Sequence, residues 1–278
     1  MKKVRLDRLL TNLGFFDSGE KAKRAVMAGL VTIDGKPRTK PGEQIPEDIA
    51  PGSIVVKGDP VPFVSRGGLK LDKALKVFDF PVEGLSFFDI GASTGGFTDC
   101  LLQNGAARVA SIDVGYGQLA YTLRGDARVV NMERTNFRHL NPEDVPFIAD
   151  ATVMDVSFIS ILKLLDHIRA YTGPKARGAW LIKPQFEAGK GLVGKNGVIR
   201  DEKIHASVVT QTVRGIEAAG FSIKGMDYSP IRGPKGNIEF LVMTQKEEKD
   251  QTPSAFSDEA IKNTVAKAHR AFEKGDKS

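Results

Sequence analysis

The chain has 278 residues, a formal net charge of +6 and one cysteine, Cys100. That length suits one large domain with a small accessory one, the lone thiol excludes an intrachain disulfide framework, and the basic balance permits a polyanionic partner. No apolar run of about 18 residues occurs, and charged side chains between Met1 and Asp7 interrupt any signal-like core, so the expectation is a cytoplasmic protein without a membrane segment.

Between Arg5 and Leu13, Leu6, Leu9, Leu10 and Leu13 recur at helical spacing and leave Arg5 and Arg8 on other faces, with Gly14 as the stop. A second helix is expected from Gly19 to Ala28, carrying Lys21, Lys23 and Arg24 and ending at Gly29. Leu30 to Arg38 reads as a hairpin turning at Asp34-Gly35 and bearing Lys36 and Arg38. Pro51, Gly52, Gly58, Pro60 and Pro62 then suit a strand end and a linker. These signals give an accessory domain over 1–60, a linker over 61–64, a large domain over 65–246, and a polar connection with a last helix over 247–278. In that helix Ile261, Val265 and Phe272 share a face suited to packing on its own domain.

The large domain opens with a helix near Ser65 that holds Arg66 and Lys70. Apolar runs follow at 85–90, 109–112, 129–130, 151–154, 179–182, 221–226 and 238–243, with helical stretches between most of them. The alternation predicts an α/β fold with a mostly parallel, seven-stranded sheet. Ligands of such sheets sit beyond the carboxyl ends of the strands. Asp89, Gly91, Asp113, Asp155 and Lys183 all fall at those ends. Buried strand ends seldom carry bare charges, so Asp155 and Lys183 point either to an ion pair or to a reactive site.

The turn from Asp89 to Thr98 admits three readings. Gly91-Ala92-Ser93-Thr94-Gly95 fits the serine-hydrolase elbow GxSxG, with Asp155 and His205 as nominal triad partners. It approaches the dinucleotide fingerprint GxGxxG, but Ser93 replaces the second glycine. The third reading is an S-adenosylmethionine (SAM) loop comprising Asp89, Gly91, Ser93, Thr94, Gly95, Gly96 and Phe97. Asp113, about 20 residues further on, then sits where a carboxylate holds ribose hydroxyls. The histidines His139, His167, His205 and His269 lack ligand spacing, so no metal site is expected.

The basic helices, the Asp34-Gly35 hairpin and Lys40-Pro41-Gly42 resemble the S4 RNA-binding domain. The resemblance implies that Arg5, Arg8, Lys21, Lys23, Arg24, Lys36 and Arg38, together with Arg66 beyond them, meet structured RNA through phosphate contacts. Gly19-Glu20-Lys21 departs from the serine-arginine pair common there, leaving Lys21 as the replacement cation. Further on, Lys70, Asp155, Lys183 and Glu239 occur in the order of the catalytic tetrad of FtsJ-like 2′-O-ribose methyltransferases. An S4-like domain ahead of that tetrad resembles the TlyA family, known both as haemolysin A and as a ribosomal RNA cytidine 2′-O-methyltransferase. Ser65-Arg66-Gly67-Gly68-Leu69-Lys70, Asp155-Val156-Ser157-Phe158-Ile159-Ser160, Lys183-Pro184-Gln185-Phe186-Glu187 and Gly197-Val198-Ile199-Arg200-Asp201 carry the match.

This resemblance implies SAM as cofactor, with Asp155 joining the loop residues in holding it, and ribosomal RNA or ribosomal subunits as partner. Neither a membrane nor a protein partner is implied. Lys183 is the candidate general base, oriented by Asp155, while Lys70 and Glu239 position the hydroxyl. Two other classes compete: a membrane cytolysin, for which no insertion-type helix is legible, and a non-catalytic RNA-binding assembly factor, against which the complete tetrad argues.

Overall fold

A computed structural model describes residues 3–16, 18–56, 62–189, 191–248 and 255–275. The chain forms two compact units, Met1–Arg66 and Gly67–Ser278. Residues 57–61, which include the first residue of the expected linker, and the polar stretch from 249 to 254 lie outside the described residues.

The first unit begins with β1 (Lys3–Arg5), α1 (Leu6–Asn12) and α2 (Gly19–Met27). Leu6, Leu9 and Leu10 of α1 pack on Ala22, Ala25 and Val26 of α2, which is the apolar periodicity converted into a shared core. Ser18 caps α2 by accepting a hydrogen bond from the Lys21 N–H. Strands β2 (Val31–Ile33) and β3 (Lys36–Arg38) pair antiparallel around Asp34 and Gly35. Both turn residues have positive φ, 50° and 73°, as a two-residue hairpin of matching twist requires. β4 (Gln44–Pro46) pairs with β1, and β5 (Ile54–Val56) joins the other edge of β2. Three-residue strands such as β1 and β4 carry too few alternations to be read from sequence.

The second unit runs α3 (Gly67–Phe78), β6 (Ser86–Ile90), α4 (Gly96–Gln103), β7 (Arg108–Ile112), α5 (Tyr121–Arg124), β8 (Val129–Met132), β9 (Ala149–Met154), α6 (Leu165–Tyr171), β10 (Thr172–Ile182), α7 (Pro184–Glu187), α8 (Glu202–Ala218), β11 (Phe221–Tyr228), β12 (Phe240–Lys246) and α9 (Asp258–Gly275). The sheet order is β11-β12-β10-β9-β6-β7-β8. β12 runs antiparallel to both of its neighbours, while the pairs from β10 to β8 are parallel. The seven-stranded, mostly parallel sheet expected from the alternation is therefore the one observed.

Residues of β6 are buried throughout, as a central strand covered on both faces requires. Strand order reverses between β6 and β9, which opens a crevice at their carboxyl ends. β10 is longer than its apolar signal. Its first half, Thr172-Gly173-Pro174-Lys175, has turn composition, and the pairing with β9 shifts register between Thr172 and Arg177.

Helix α9 packs on α8 and β11 with Ile261, Val265 and Ala268 fully buried and Phe272 against the same core. His205 of α8 meets His269 of α9 at 2.8 Å, Nδ1 to Nε2, and its own Nε2 is buried without a partner. Burial, reinforced by His269 and opposed by Asp201, pushes His205 down to about 4. A histidine lowered in the folded state gives stability that is complete above its free value near 6.5 and is lost as pH falls toward 4. Chemical denaturation from pH 7 to pH 4 should therefore show wild type losing about 3 kcal/mol more than His205→Phe, which has nothing to protonate there. Equal losses would show that the histidine pair does not couple folding to pH.

Candidate functional site

Four charged side chains meet where the sheet changes direction. Asp155 directly follows β9 and Lys183 directly follows β10, and the two strands are in register through Met154 and Trp180. Because β12 runs the opposite way, its beginning reaches this edge. Phe240 pairs with Ile182, which brings Glu239 beside Lys183. Lys70, on the first turn of α3, completes the group.

Asp155 bridges two ammonium groups. Its Oδ1 lies 2.6 Å from Lys183 Nζ and its Oδ2 2.9 Å from Lys70 Nζ, and Lys70 Nζ also lies 2.7 Å from Glu239 Oε2. Two cations thus face two carboxylates with little access to water. Burial by itself pushes the Asp155 carboxyl up, but Lys70 and Lys183 outweigh it and hold the group below the usual carboxylate range. Burial likewise works against the Lys70 ammonium and is overcome by Asp155 and Glu239, leaving Lys70 raised. Glu239 is raised by its own burial; Lys70 opposes the shift and the Asp155 charge adds to it. Gly233 lies so close that a Cβ there would fall 2.1 Å from Glu239 Oε1, a restraint invisible in sequence.

A cavity of about 370 Å³ adjoins this group. Gly91, Ser93, Asp113 and Asp155 line it together with Ile112, Phe137 and Leu164. Asp113 ties two loops to the cavity wall, its Oδ2 accepting from the Ser93 N–H at 2.8 Å and its Oδ1 from the Gly115 N–H at 2.7 Å. Gly91 has φ +85°, and a Cβ there would stand 2.8 Å from the Asp155 carbonyl oxygen, so the loop needs glycine at this crossing.

Asp89, Thr94, Gly95, Gly96 and Phe97 do not line the cavity. They build the turn behind it. Fully buried Asp89 accepts from the Thr98 N–H and hydroxyl at 2.9 and 2.7 Å, capping α4, and burial pushes its carboxyl up to about 7 against those bonds. Phe97 is buried in the core. The sequence signals pass over Thr135, Asn136 and Phe137, which reach the cavity from the loop after β8.

The segment after Asp155 is held by three hydrogen bonds to two residues. Ser157 Oγ accepts from Lys183 Nζ at 2.9 Å. Glu187 accepts from the Ser160 hydroxyl at 2.6 Å and the Ile161 N–H at 2.9 Å. Between these anchors Phe158 has φ +65° and is 91% exposed, its ring 5.0 Å from that of Phe186. A bulky residue in left-handed backbone persists only where its surroundings impose it.

The hydrolase triad is not assembled. The Ser93 hydroxyl pairs weakly with Gln118 at 3.4 Å, His205 is taken by His269, and Asp155 by the two lysines. Ser93→Ala is expected to retain most methyl transfer; complete loss with cofactor binding intact would revive the nucleophile.

In the first unit the basic residues divide. Arg5 is paired with Asp7 at 2.6 Å and Arg38 with Glu43 at 2.6 Å. Arg8, Lys23 and Lys36 are exposed, as are Lys21 and Arg66, while Arg24 is half-buried. Among the described residues no helix is long and apolar enough to cross a membrane, and no cluster of three or more metal-ligating side chains forms.

The model of the FtsJ-like methyltransferase family matches residues 63–246, and that of the S4 domain residues 4–48. The chain belongs to the FtsJ-like methyltransferase family. It is 40% identical over 274 residues to the 16S/23S rRNA (cytidine-2'-O)-methyltransferase TlyA of Mycobacterium tuberculosis, covering 99% of each chain. It is also 40% identical over 242 residues to Hemolysin A of Brachyspira hyodysenteriae, covering 86% of this chain and 98% of that one. A solved structure of a hemolysin-named protein from Streptococcus thermophilus superposes with a TM-score of 0.79 at 44% identity, over 100% of both chains. An FtsJ-like methyltransferase domain preceded by an S4 domain is thus the architecture of this enzyme.

Proposed function

We propose that this FtsJ-like methyltransferase moves a methyl group from SAM to the 2′-hydroxyl of a cytidine in ribosomal RNA, acting in the cytoplasm. One observation carries the reading: Asp155 belongs both to the wall of the cavity and to the Lys70-Lys183-Glu239 cluster, so a donor in the cavity and an acceptor at the cluster share one border. The cavity suits a nucleoside-sized ligand, with apolar walls at Ile112, Phe137 and Leu164 and a carboxylate at Asp113 fit to accept from ribose hydroxyls. SAM, when bound, supplies a methyl group activated by its sulfonium.

Lys183 then acts as general base. In its neutral form its Nζ would take the proton of the 2′-hydroxyl, freeing the oxygen to accept the methyl group as the sulfonium's carbon–sulfur bond breaks to a neutral thioether. Asp155 holds that amine in place. Lys70, fixed by Asp155 and Glu239, sets a positive charge where negative charge develops on the attacking oxygen. Exposed Arg8, Lys23 and Lys36 offer the first unit a phosphate-binding face, while Arg5 and Arg38 contribute through rigid local pairs.

The test is transfer of labelled methyl from SAM to ribosomal subunits isolated without the modification, followed by mapping of the methylated nucleotide. Label on a cytidine ribose supports the proposal; SAM binding without any transfer to RNA overturns it. Reversing Arg8 and Lys23 to glutamate should weaken RNA binding, flatten its salt dependence by about one unit of slope per cation, and leave SAM affinity unchanged.

A further inference from the structure

The proposed function leaves one feature of the base unassigned, namely which way its lone pair faces. A neutral lysine amine has two N–H bonds and one lone pair on a rotor that turns about its last C–N bond. At Lys183 the polar partners are Asp155 Oδ1 at 2.6 Å and Ser157 Oγ at 2.9 Å, and the Phe186 ring centroid is 5.9 Å away. When the neutral amine gives one N–H to Ser157 Oγ and turns the other toward the Asp155 carboxylate, with which the ammonium is ion-paired, the lone pair has a single remaining direction. If Ser157 could not accept, one N–H and the lone pair would exchange places by rotation, and part of the population would present a proton to the hydroxyl instead of a base.

Resting on the reading of Lys183 as the base, we infer that Ser157 is a positioning residue whose Oγ fixes the lone pair of Lys183 toward the acceptor hydroxyl. The surroundings are built for this. Ser157 is exposed and lines the cavity, yet its hydroxyl is spent on a lysine that is only 6% exposed. The backbone that carries it is fixed by Asp155 on one side and by the Glu187 hydrogen bonds to Ser160 and Ile161 on the other. Phe158, between the two anchors, has left-handed backbone. The charged groups facing the amine are Asp155, with Lys70 and Glu239 behind it.

The experiment compares wild type, Lys183→Ala, Ser157→Ala and the near-isosteric pair Ser157→Thr and Ser157→Val in methyl transfer to unmodified ribosomal subunits across pH. Ser157→Ala and Ser157→Val should lower kcat about 10- to 100-fold, a larger change than any in the KM for SAM, whose cavity Ser157 borders, while Ser157→Thr, which keeps the acceptor, recovers most of the rate. The acid limb of the kcat profile should move to lower pH in the Ala and Val variants, since an ammonium deprived of an acceptor for one N–H releases its proton more readily. Unchanged kcat and an unmoved limb in both, with Lys183→Ala inactive, would overturn the inference and leave the base assignment standing. Losses shared equally by Thr and Val with an unmoved limb would overturn it too, as a packing role predicts. An active Lys183→Ala variant would instead remove the base assignment on which the inference rests.

Discussion

Asp155→Ala should be the most damaging single substitution in the large unit, abolishing methyl transfer and lowering stability by about 3–5 kcal/mol. The carboxylate lies between Lys70 and Lys183 at 2.9 and 2.6 Å, and both lysines are buried. Its removal leaves two like charges facing each other with only Glu239 as counterion. Denaturant midpoints give the stability term, and labelled SAM gives the activity. Asp155→Asn separates the two effects: it keeps the shape and one acceptor, so it should fold better than the alanine variant yet remain inactive, having lost the charge that orders both lysines. Wild-type stability in Asp155→Ala would show that the cluster relaxes around the gap by releasing protons.

Lys183→Ala is the second large effect. With Lys183 as the proposed general base, its loss should lower turnover by about 10²- to 10⁴-fold while sparing binding. Because Lys183 does not line the cavity, SAM affinity should hold, measurable by calorimetry on the same preparation. Lys183→Arg should be nearly as inactive, since a guanidinium has no lone pair to offer at neutral pH. Transfer that survives Lys183→Ala undiminished would move the base role elsewhere in the cluster.

The parts of this enzyme that were legible in sequence are those written in short-range pattern. Leucines at helical spacing in α1, the Asp34-Gly35 turn and the apolar runs of the sheet each state their local conformation, because backbone sterics and burial act on neighbouring residues. The carboxyl-end placement of Asp89, Gly91, Asp113, Asp155 and Lys183 follows from the same runs once a parallel sheet is granted. Family resemblance, not pattern, singled out Lys70 and Glu239, since neither stands at the carboxyl end of a strand.

The tertiary structure decided which of these groups touch. Lys70 and Asp155 are 85 residues apart and hydrogen-bonded. Glu239 enters the cluster because β12 is inserted antiparallel between β10 and β11, so that its first residues, not its last, lie at the ligand edge. The same folding turned Asp89 into a buried cap for α4 and placed Asp113 on the cavity wall, a distinction that two strand-end aspartates do not announce. It also gave Ser157 to Lys183 and Glu187 to Ser160, contacts across 26 and 27 residues that obey no period. The sequence by itself determined the elements, their order and the chemical types at the sheet's edge, because those depend on neighbours along the chain. Strand order and direction determined the pairing of charges, because side chains distant in sequence meet only when the sheet has closed.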